Sequence, residues 1–463
     1  MVFSSAVFLF IFLPIVLILH TVVKNTKIRN GLLIVASLIF YAFGEPIYIL
    51  MLVGSVAVNW IFGNILYKNK NKIILALAVV LNLLLLVVFK YTGFLVGIFN
   101  GVFNTEIHVP HIVMPIGISF FTFQAISYVV DVYRQKTSNK AGFFDVLLYI
   151  ALFPQLIAGP IVQYRTIADS IKDREVTVDG LMVGARKFIV GLSKKMLISN
   201  AMGMVADKVF NMSAEGIDSP LAWFAAICYC LQIYFDFSGY SDMALGIGSM
   251  LGFEFPKNFD HPYVAVGIRD FWRRWHMSLT GWFREYLYIP LGGNRKGKAR
   301  QILNSMIVFI CTGIWHGANL TFLVWGFYHG VLMSVETATT KKDTKPPKPM
   351  VPVIWFVTMV MVIVGFVIFR SDNISYAVQY IGKMFAFAGT DDGMRVLISF
   401  LTPSFIATFV ISLVACCPVK ELFRKKCKRV FEVGSYVVSL VLFALCVLSL
   451  ASNSYNPFIY FRF

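Results

Sequence analysis

The sequence predicts an all-α polytopic membrane protein, a bundle of about 11–12 transmembrane helices with re-entrant or interfacial pieces. Charged residues make up only 14% of the 463 residues and hydrophobic ones 58%, where a soluble domain carries about 25% charged. Mean hydropathy is +0.73. Apolar runs of about 18 residues or more recur from end to end, and a helix needs about 20 to cross the hydrocarbon. Strand-period alternation is absent, which argues against a β-barrel.

The elements follow in order from where the positive loops fall. Net charge is 41 − 24 = +17, and the Lys and Arg cluster in short loops between apolar runs. They read as cytoplasmic-side topology signals rather than a nucleic-acid surface, because no interleaved basic and aromatic binding module accompanies them. The first apolar run, to His20, lacks a basic leader and a small-residue cleavage site, so it reads as a retained span with its N-terminus outside. Lys24, Lys27 and Arg29 then lie inside, and Gly44-Glu-Pro46 turns outside. Lys68, Lys70 and Lys72 lie inside, 98–112 outside without Lys or Arg, and Arg134, Lys136 and Lys140 inside.

Residues 143–161 contain Pro154, Gly159 and Pro160 and read as a bent or re-entrant helix, tolerated at membrane depth only under protein cover. Spans near 189–207 and 220–250 follow. Residues 268–292 are too polar to face lipid and lie at the cytoplasmic interface or dip inward. Spans near 303–318 and 320–338 form a hairpin, and Lys341 to Lys348 link it, on the cytoplasmic side, to spans near 351–371, 397–417 and 433–452. The basic cluster Arg424, Lys425, Lys426, Lys428 and Arg429 before the last span puts the tail, to Phe463, outside. Residues 1–463 read as one integral-membrane domain: N-terminal spans 1–134, a core 135–338, and C-terminal spans with the tail, 339–463. The seven cysteines form no CxxC pair and are odd in number, so no metal site or disulfide framework is expected.

Two segments carry polar groups where they are costly. His316 lies in the apolar Thr312-Gly-Ile-Trp-His-Gly-Ala-Asn319. If the helix persists, Thr312, His316 and Asn319 share one face. A neutral imidazole there can take a proton from a hydroxyl nucleophile and return it to a leaving thiolate; the plain alternative is a packed histidine satisfied by a carbonyl. The second segment is Arg269-Asp-Phe-Trp-Arg-Arg-Trp-His276. Its Arg269, Arg273 and Arg274, interleaved with Trp272 and Trp275, suit either an interfacial belt or a phosphorylated ligand, since guanidinium forks match phosphate. Leu291-Gly-Gly-Asn-Arg-Lys-Gly297 lacks Walker and Rossmann spacing and reads as a turn letting backbone approach a ligand or helix. Gln232, Asp236 and Tyr240 recur at i+4 in an apolar helix. Asp236 suits a proton relay or substrate contact, or pairing with the arginine-rich segment.

Taken together, these residues make the chain resemble the membrane-bound O-acyltransferase (MBOAT) superfamily, in its alginate and polysaccharide O-acetylation branch. The resemblance runs nearly end to end. It rests on Met1-Val-Phe-Ser-Ser5, Pro115-Ile-Gly-Ile-Ser-Phe-Phe-Thr-Phe123, Ala158-Gly-Pro160, Tyr234-Phe-Asp-Phe-Ser-Gly-Tyr-Ser-Asp-Met243, Phe271-Trp-Arg-Arg-Trp-His-Met-Ser-Leu279, Tyr286-Leu-Tyr-Ile-Pro-Leu-Gly-Gly-Asn-Arg295 and Trp315-His-Gly-Ala-Asn319. It implies a bundle around a tunnel, with His316 as the catalytic histidine and His276 as a second histidine lining the same tunnel. It also implies a bacterial inner-membrane location and a cytoplasmic thioester donor, acetyl-CoA or an acyl-carrier thioester, with no bound cofactor. The expected partner is an extracytoplasmic SGNH-type acetyltransferase acting on a polysaccharide. Phe458-Ile-Tyr-Phe-Arg-Phe463 is similar to a C-terminal motif of this branch, which makes Tyr460 a candidate acyl carrier; an aromatic interfacial anchor is its alternative. Donor phosphates are expected at Arg269, Arg273 and Arg274, and oxyanion donors at Asn319 or backbone N–H groups. The rival readings are D-alanyl transfer to teichoic acid in a related branch, a proton-coupled transporter or flippase, and a non-catalytic scaffold.

Overall fold

The computed structural model describes residues 1–110, 112–136, 140–340, 346–419, 428–452, 455–456 and 459. These are helices and connecting loops; no strand occurs among the described residues. Among the described residues, six helices are long and apolar enough to cross a membrane: Tyr48–Lys68, Lys72–Lys90, Val178–Phe210, Ser219–Met250, Lys348–Arg370 and Gly434–Ala451. Asp391–Phe400 and Pro403–Ala415, bent by 82°, make a seventh if taken as one span. The higher number expected from hydropathy arises because several apolar runs fold as shorter helices, such as Thr92–Phe103 and Ile118–Tyr133. Lys298–His316 meanwhile begins with Lys298 and Arg300 and keeps Asn304 on its buried face.

The chain forms two compact units. The first comprises Met1–Ile189 and Tyr240–Lys257. Asparagines open two of its helices: the Asn25 side chain accepts from the N–H groups of Lys27 and Ile28, and Asn71 does the same for Ile73 and Ile74. Such caps satisfy donors that the first helical turn leaves open. Asn59 and Asn82, both buried, exchange amide hydrogen bonds of 3.0 and 2.7 Å between Tyr48–Lys68 and Lys72–Lys90. The segment expected to bend does so. Phe143–Ala151 stops at Leu152, Phe153–Leu156 adds one turn, and the chain runs irregular but buried to Tyr164–Lys172. Gly117, at φ +78°, lets this stretch approach, since a Cβ there would meet the Leu156 carbonyl oxygen at 2.7 Å.

The second unit comprises Val190–Gly239 and Asn258–Phe463. Its sequence between 268 and 292 folds as short pieces, Ile268–Arg274, Met277–Phe283 and the wide turn Arg284–Tyr288. The anticipated hairpin is Lys298–His316 with Leu320–Thr339. Its helices meet backbone to backbone. A Cβ on Gly326 would lie 2.5 Å from the Phe309 carbonyl oxygen, one on Gly330 2.6 Å from Met306 Sδ, and one on Gly313 would strike the Phe322 carbonyl. Small residues allow such close approach where no water drives helices together. That seam fixes His316, the last residue of its helix, against the partner helix.

Candidate active site

His276 and His316 come from separate segments of the second unit and meet inside it, 2% and 7% exposed. His276 sits between two short helices in the left-handed region, φ +44°, a conformation non-glycine residues take rarely. It is held by Asn258. The Asn258 Oδ1 accepts the Ser278 backbone N–H at 3.2 Å and the Ser278 hydroxyl at 2.9 Å, and lies 3.1 Å from His276 Nδ1. A backbone N–H can only donate, so the atom facing it is the oxygen. The proton is therefore on Nδ1, and Nε2 carries the lone pair. Among the described residues Nε2 has no hydrogen-bond partner. Burial pushes this imidazole well below its ordinary pKa, and neighbouring His316 pushes the same way. The result is a neutral base with one accepting atom.

Aromatic rings enclose the pair. His276 packs on Phe237, with ring centroids 4.5 Å apart, and on Trp315 at 6.2 Å. His316 packs on Trp315 at 5.0 Å, Trp325 at 5.2 Å and Phe369 at 5.0 Å. Phe369 and Phe322 also wall a cavity of about 190 Å³ lined by Asp207, Tyr229, Gln232, Asn319, Arg370 and Ile459 among others. Trp272 continues the aromatic line, 5.6 Å from Trp325 and 5.0 Å from His329. Trp272 Nε1, Trp325 Nε1 and His329 Nδ1 are buried without hydrogen-bond partners among the described residues, at a cost of about 1–3 kcal/mol each. A polar guest would gain there.

One turn from Trp272, Arg269 borders a cleft of about 780 Å³ with Arg284, Arg295, Lys298 and Thr340. The Leu291-to-Gly297 turn forms its floor, with Gly292 at φ +104°, Gly293 at +56° and Gly297 at +85°. Of the three arginines expected to hold phosphates, only Arg269 lines this cleft. Arg273 is exposed. Arg274 is held by Asp270 at 3.1 Å and by Asp260 at 3.9 Å. Trp275 is a packing residue, 5.6 Å from Phe271 and 5.1 Å from Phe366.

Two further expectations change. Thr312, His316 and Asn319 do not share a helical face, because the helix ends at His316 and Gly317 is extended. Asn319 instead caps the next helix, accepting the Thr321 N–H at 3.0 Å and donating to the Asp372 carbonyl at 2.9 Å. Asp236 pairs with Lys195 at 2.9 Å, both essentially buried, rather than with the arginine-rich segment. Its second oxygen accepts the backbone N–H of Ile459 at 2.9 Å. Tyr460 lies outside the described residues.

Asn258, Lys195 and His329 escaped the sequence reading. His329 carried the signal that marked His316, an imidazole in an apolar helix. Asn258 sits in an irregular loop eighteen positions before its histidine, with nothing local to mark it.

Comparison with known proteins gives the family. A family model described as MBOAT, membrane-bound O-acyltransferase family, matches residues 134–378, which include both histidines and the basic cleft. The chain is 38% identical to a probable alginate O-acetylase AlgI of Pseudomonas putida, with all of both chains aligned. It is 31% identical to a peptidoglycan O-acetyltransferase of Helicobacter pylori over 100% of this chain and 98% of that one. A teichoic acid D-alanyltransferase of Bacillus subtilis is 29% identical over 51% of this chain and 63% of its own length. The chain belongs to the membrane-bound O-acyltransferase family and is a multi-pass membrane O-acyltransferase.

Proposed function

We propose that the chain takes an acetyl group from a cytoplasmic thioester, acetyl-CoA or an acyl-carrier thioester, and passes it across the bacterial inner membrane. An extracytoplasmic SGNH-type acetyltransferase then places it on a polysaccharide. The observation that carries this reading is the pair of buried histidines, one with its accepting nitrogen fixed by Asn258. The relatives aligned along their whole length are named as O-acetylating enzymes, whereas the D-alanyl relative covers half the chain, which favours acetyl over D-alanyl.

The donor's phosphates rest in the cleft of Arg269, Arg284, Arg295 and Lys298, where guanidinium forks and glycine backbone suit them. The cleft's Thr339 and Thr340 lead into the lysine-rich linker, so the positive-inside rule sets it on the cytoplasmic side and both termini outside. From Lys298 to His316 the helix rises about 27 Å, a distance for the donor's long arm to bridge. His316 takes the proton of an incoming hydroxyl as that oxygen attacks the thioester carbonyl, and Nε2 of His276 accepts a hydrogen bond from a separate N–H or O–H of the bound substrate. The carbon–sulfur bond then breaks and the proton returns to the thiolate. Tyr460 supplies the hydroxyl in the relay form of this scheme.

Purified protein incubated with isotopically labelled acetyl-CoA, then read by mass spectrometry, tests it. His316→Ala is expected to lower acyl transfer by about 10²–10⁴-fold while leaving the protein folded, with label on Tyr460 only in the wild type. Wild-type transfer rates in His316→Ala would overturn the catalytic reading, and label on no residue would remove the tyrosine step. Movement of intact donor or glycan in a counterflow assay would favour transport instead.

A further inference from the structure

We infer that the buried Lys195–Asp236 pair is a positioning device that seats the tail at Ile459 in the wall of the cavity beside His316. The inference rests on the proposed part of that segment in acyl passage.

A carboxylate inside a membrane protein is costly unless its oxygens are occupied. Asp236 divides its two. One oxygen meets Lys195 Nζ at 2.9 Å, and the other accepts the Ile459 N–H at 2.9 Å. Lys195 is in turn held by Asn200 Oδ1 at 3.0 Å, and the amide of Asn200 donates to Asn456 Oδ1 at 3.3 Å. A third anchor lies nearby, where the Tyr455 hydroxyl donates to Asp207, which also pairs with Arg370 at 2.8 Å. All three described residues of the tail are therefore tied to side chains of the helical bundle. Ile459, 6% exposed, lines the same cavity as Phe322 and Phe369, which pack on His316.

The energetics favour a positioning role over a purely stabilising one. Replacing a buried ion pair by apolar groups of similar size is often neutral for stability. What the pair supplies that leucine and methionine cannot is an acceptor for a backbone N–H at one fixed point. Asp236 thus acts through the tail and need not touch donor or acceptor.

Two double variants separate the roles. Lys195→Met with Asp236→Asn removes both charges but keeps a carbonyl oxygen for the Ile459 N–H. Lys195→Met with Asp236→Leu removes both charges and the acceptor. Carboxypeptidase digestion of the detergent-purified protein, followed by mass spectrometry of the C-terminus, reads tail seating without reference to activity. The Leu double variant is expected to lose its tail residues at least about tenfold faster than wild type, while the Asn double variant digests at the wild-type rate. Acyl transfer should follow, with a fall of about tenfold or more in kcat and an unchanged KM for acetyl-CoA only in the Leu variant. Equal protection in all three proteins overturns the inference, as does equal loss in both double variants with unchanged thermal unfolding. A variant that unseats the tail yet transfers at the wild-type rate overturns the tail's part in transfer and leaves its seating intact. A double variant that does not fold is replaced by Asp236→Asn alone, where wild-type protection supports the acceptor role and rapid digestion of the tail overturns it.

Discussion

Two buried polar contacts differ in what they leave over. In the first unit, Asn59 and Asn82 exchange two amide hydrogen bonds, and their remaining N–H groups go to the carbonyls of Ser55 and Ala78 one turn back. The contact closes on itself and joins two spans. In the second unit, Asn258 spends its oxygen on His276 and Ser278 and thereby leaves an imidazole nitrogen without a partner among the described residues. The first arrangement is what stability asks of a polar group in an apolar interior. The second pays for an accepting atom that chemistry can use.

The largest way to break this comparison is at the open atom. His276→Ala, like His316→Ala, is expected to cut acyl transfer by about 10²–10⁴-fold with little change in thermal unfolding, read by turnover and by calorimetry. Next comes the orienting residue. Asn258→Leu removes the acceptor for Nδ1–H, frees the imidazole to change tautomer, and should cost about 10–100-fold in kcat, the size found for histidine-orienting partners elsewhere. The pH profile sharpens the same point. Because burial and His316 hold the His276 pKa well below 6.5, the base stays neutral as pH falls through 6.5, and activity is lost only at lower pH. Asn258→Asp places a carboxylate beside Nδ1, favours the imidazolium, and should move that acid limb upward.

At the closed contact the expected effect is on stability alone. Asn82→Leu leaves Asn59 buried and unsatisfied and should cost about 1–3 kcal/mol, whereas Leu at both positions should recover most of it. Activity per folded molecule is unchanged in each; a kcat loss in either would show that the contact is not merely structural. The smallest effect separates two arginines. Arg295→Gln in the cleft should raise the KM for acetyl-CoA several-fold, while Arg273→Gln, exposed and outside the cleft, should not.

Much of this is legible in the sequence. Hydropathy and positive loops located the long spans, Pro154 with Gly159 and Pro160 marked the break after Ala151, and the polarity of 268–292 excluded a lipid-facing helix. His316 stands out because water cannot satisfy an imidazole in hydrocarbon, and His276 through the arginine- and tryptophan-rich segment it closes. The rest depends on long-range geometry that no local pattern encodes. Periodicity carried His316 and Asn319 onto one face, but Gly317 breaks the helix between them. Charge counting offered Asp236 several arginine partners, and the fold supplied Lys195, forty-one positions upstream, instead. Arginine density points phosphate recognition to 269–274, yet Arg274 is already engaged by Asp270 and Asp260, and the cleft joins Arg269 to Arg284, Arg295 and Lys298 from farther along the chain.

The glycine seam of the hairpin restricts how this enzyme can breathe. Where Gly313 and Gly326 bring two backbones into contact there is no compressible side-chain layer, so Lys298–His316 and Leu320–Thr339 move as one strut. Widening to admit a bulky guest must then come from swinging indole and phenyl rings, which turn about their own bonds without unzipping a helix pair.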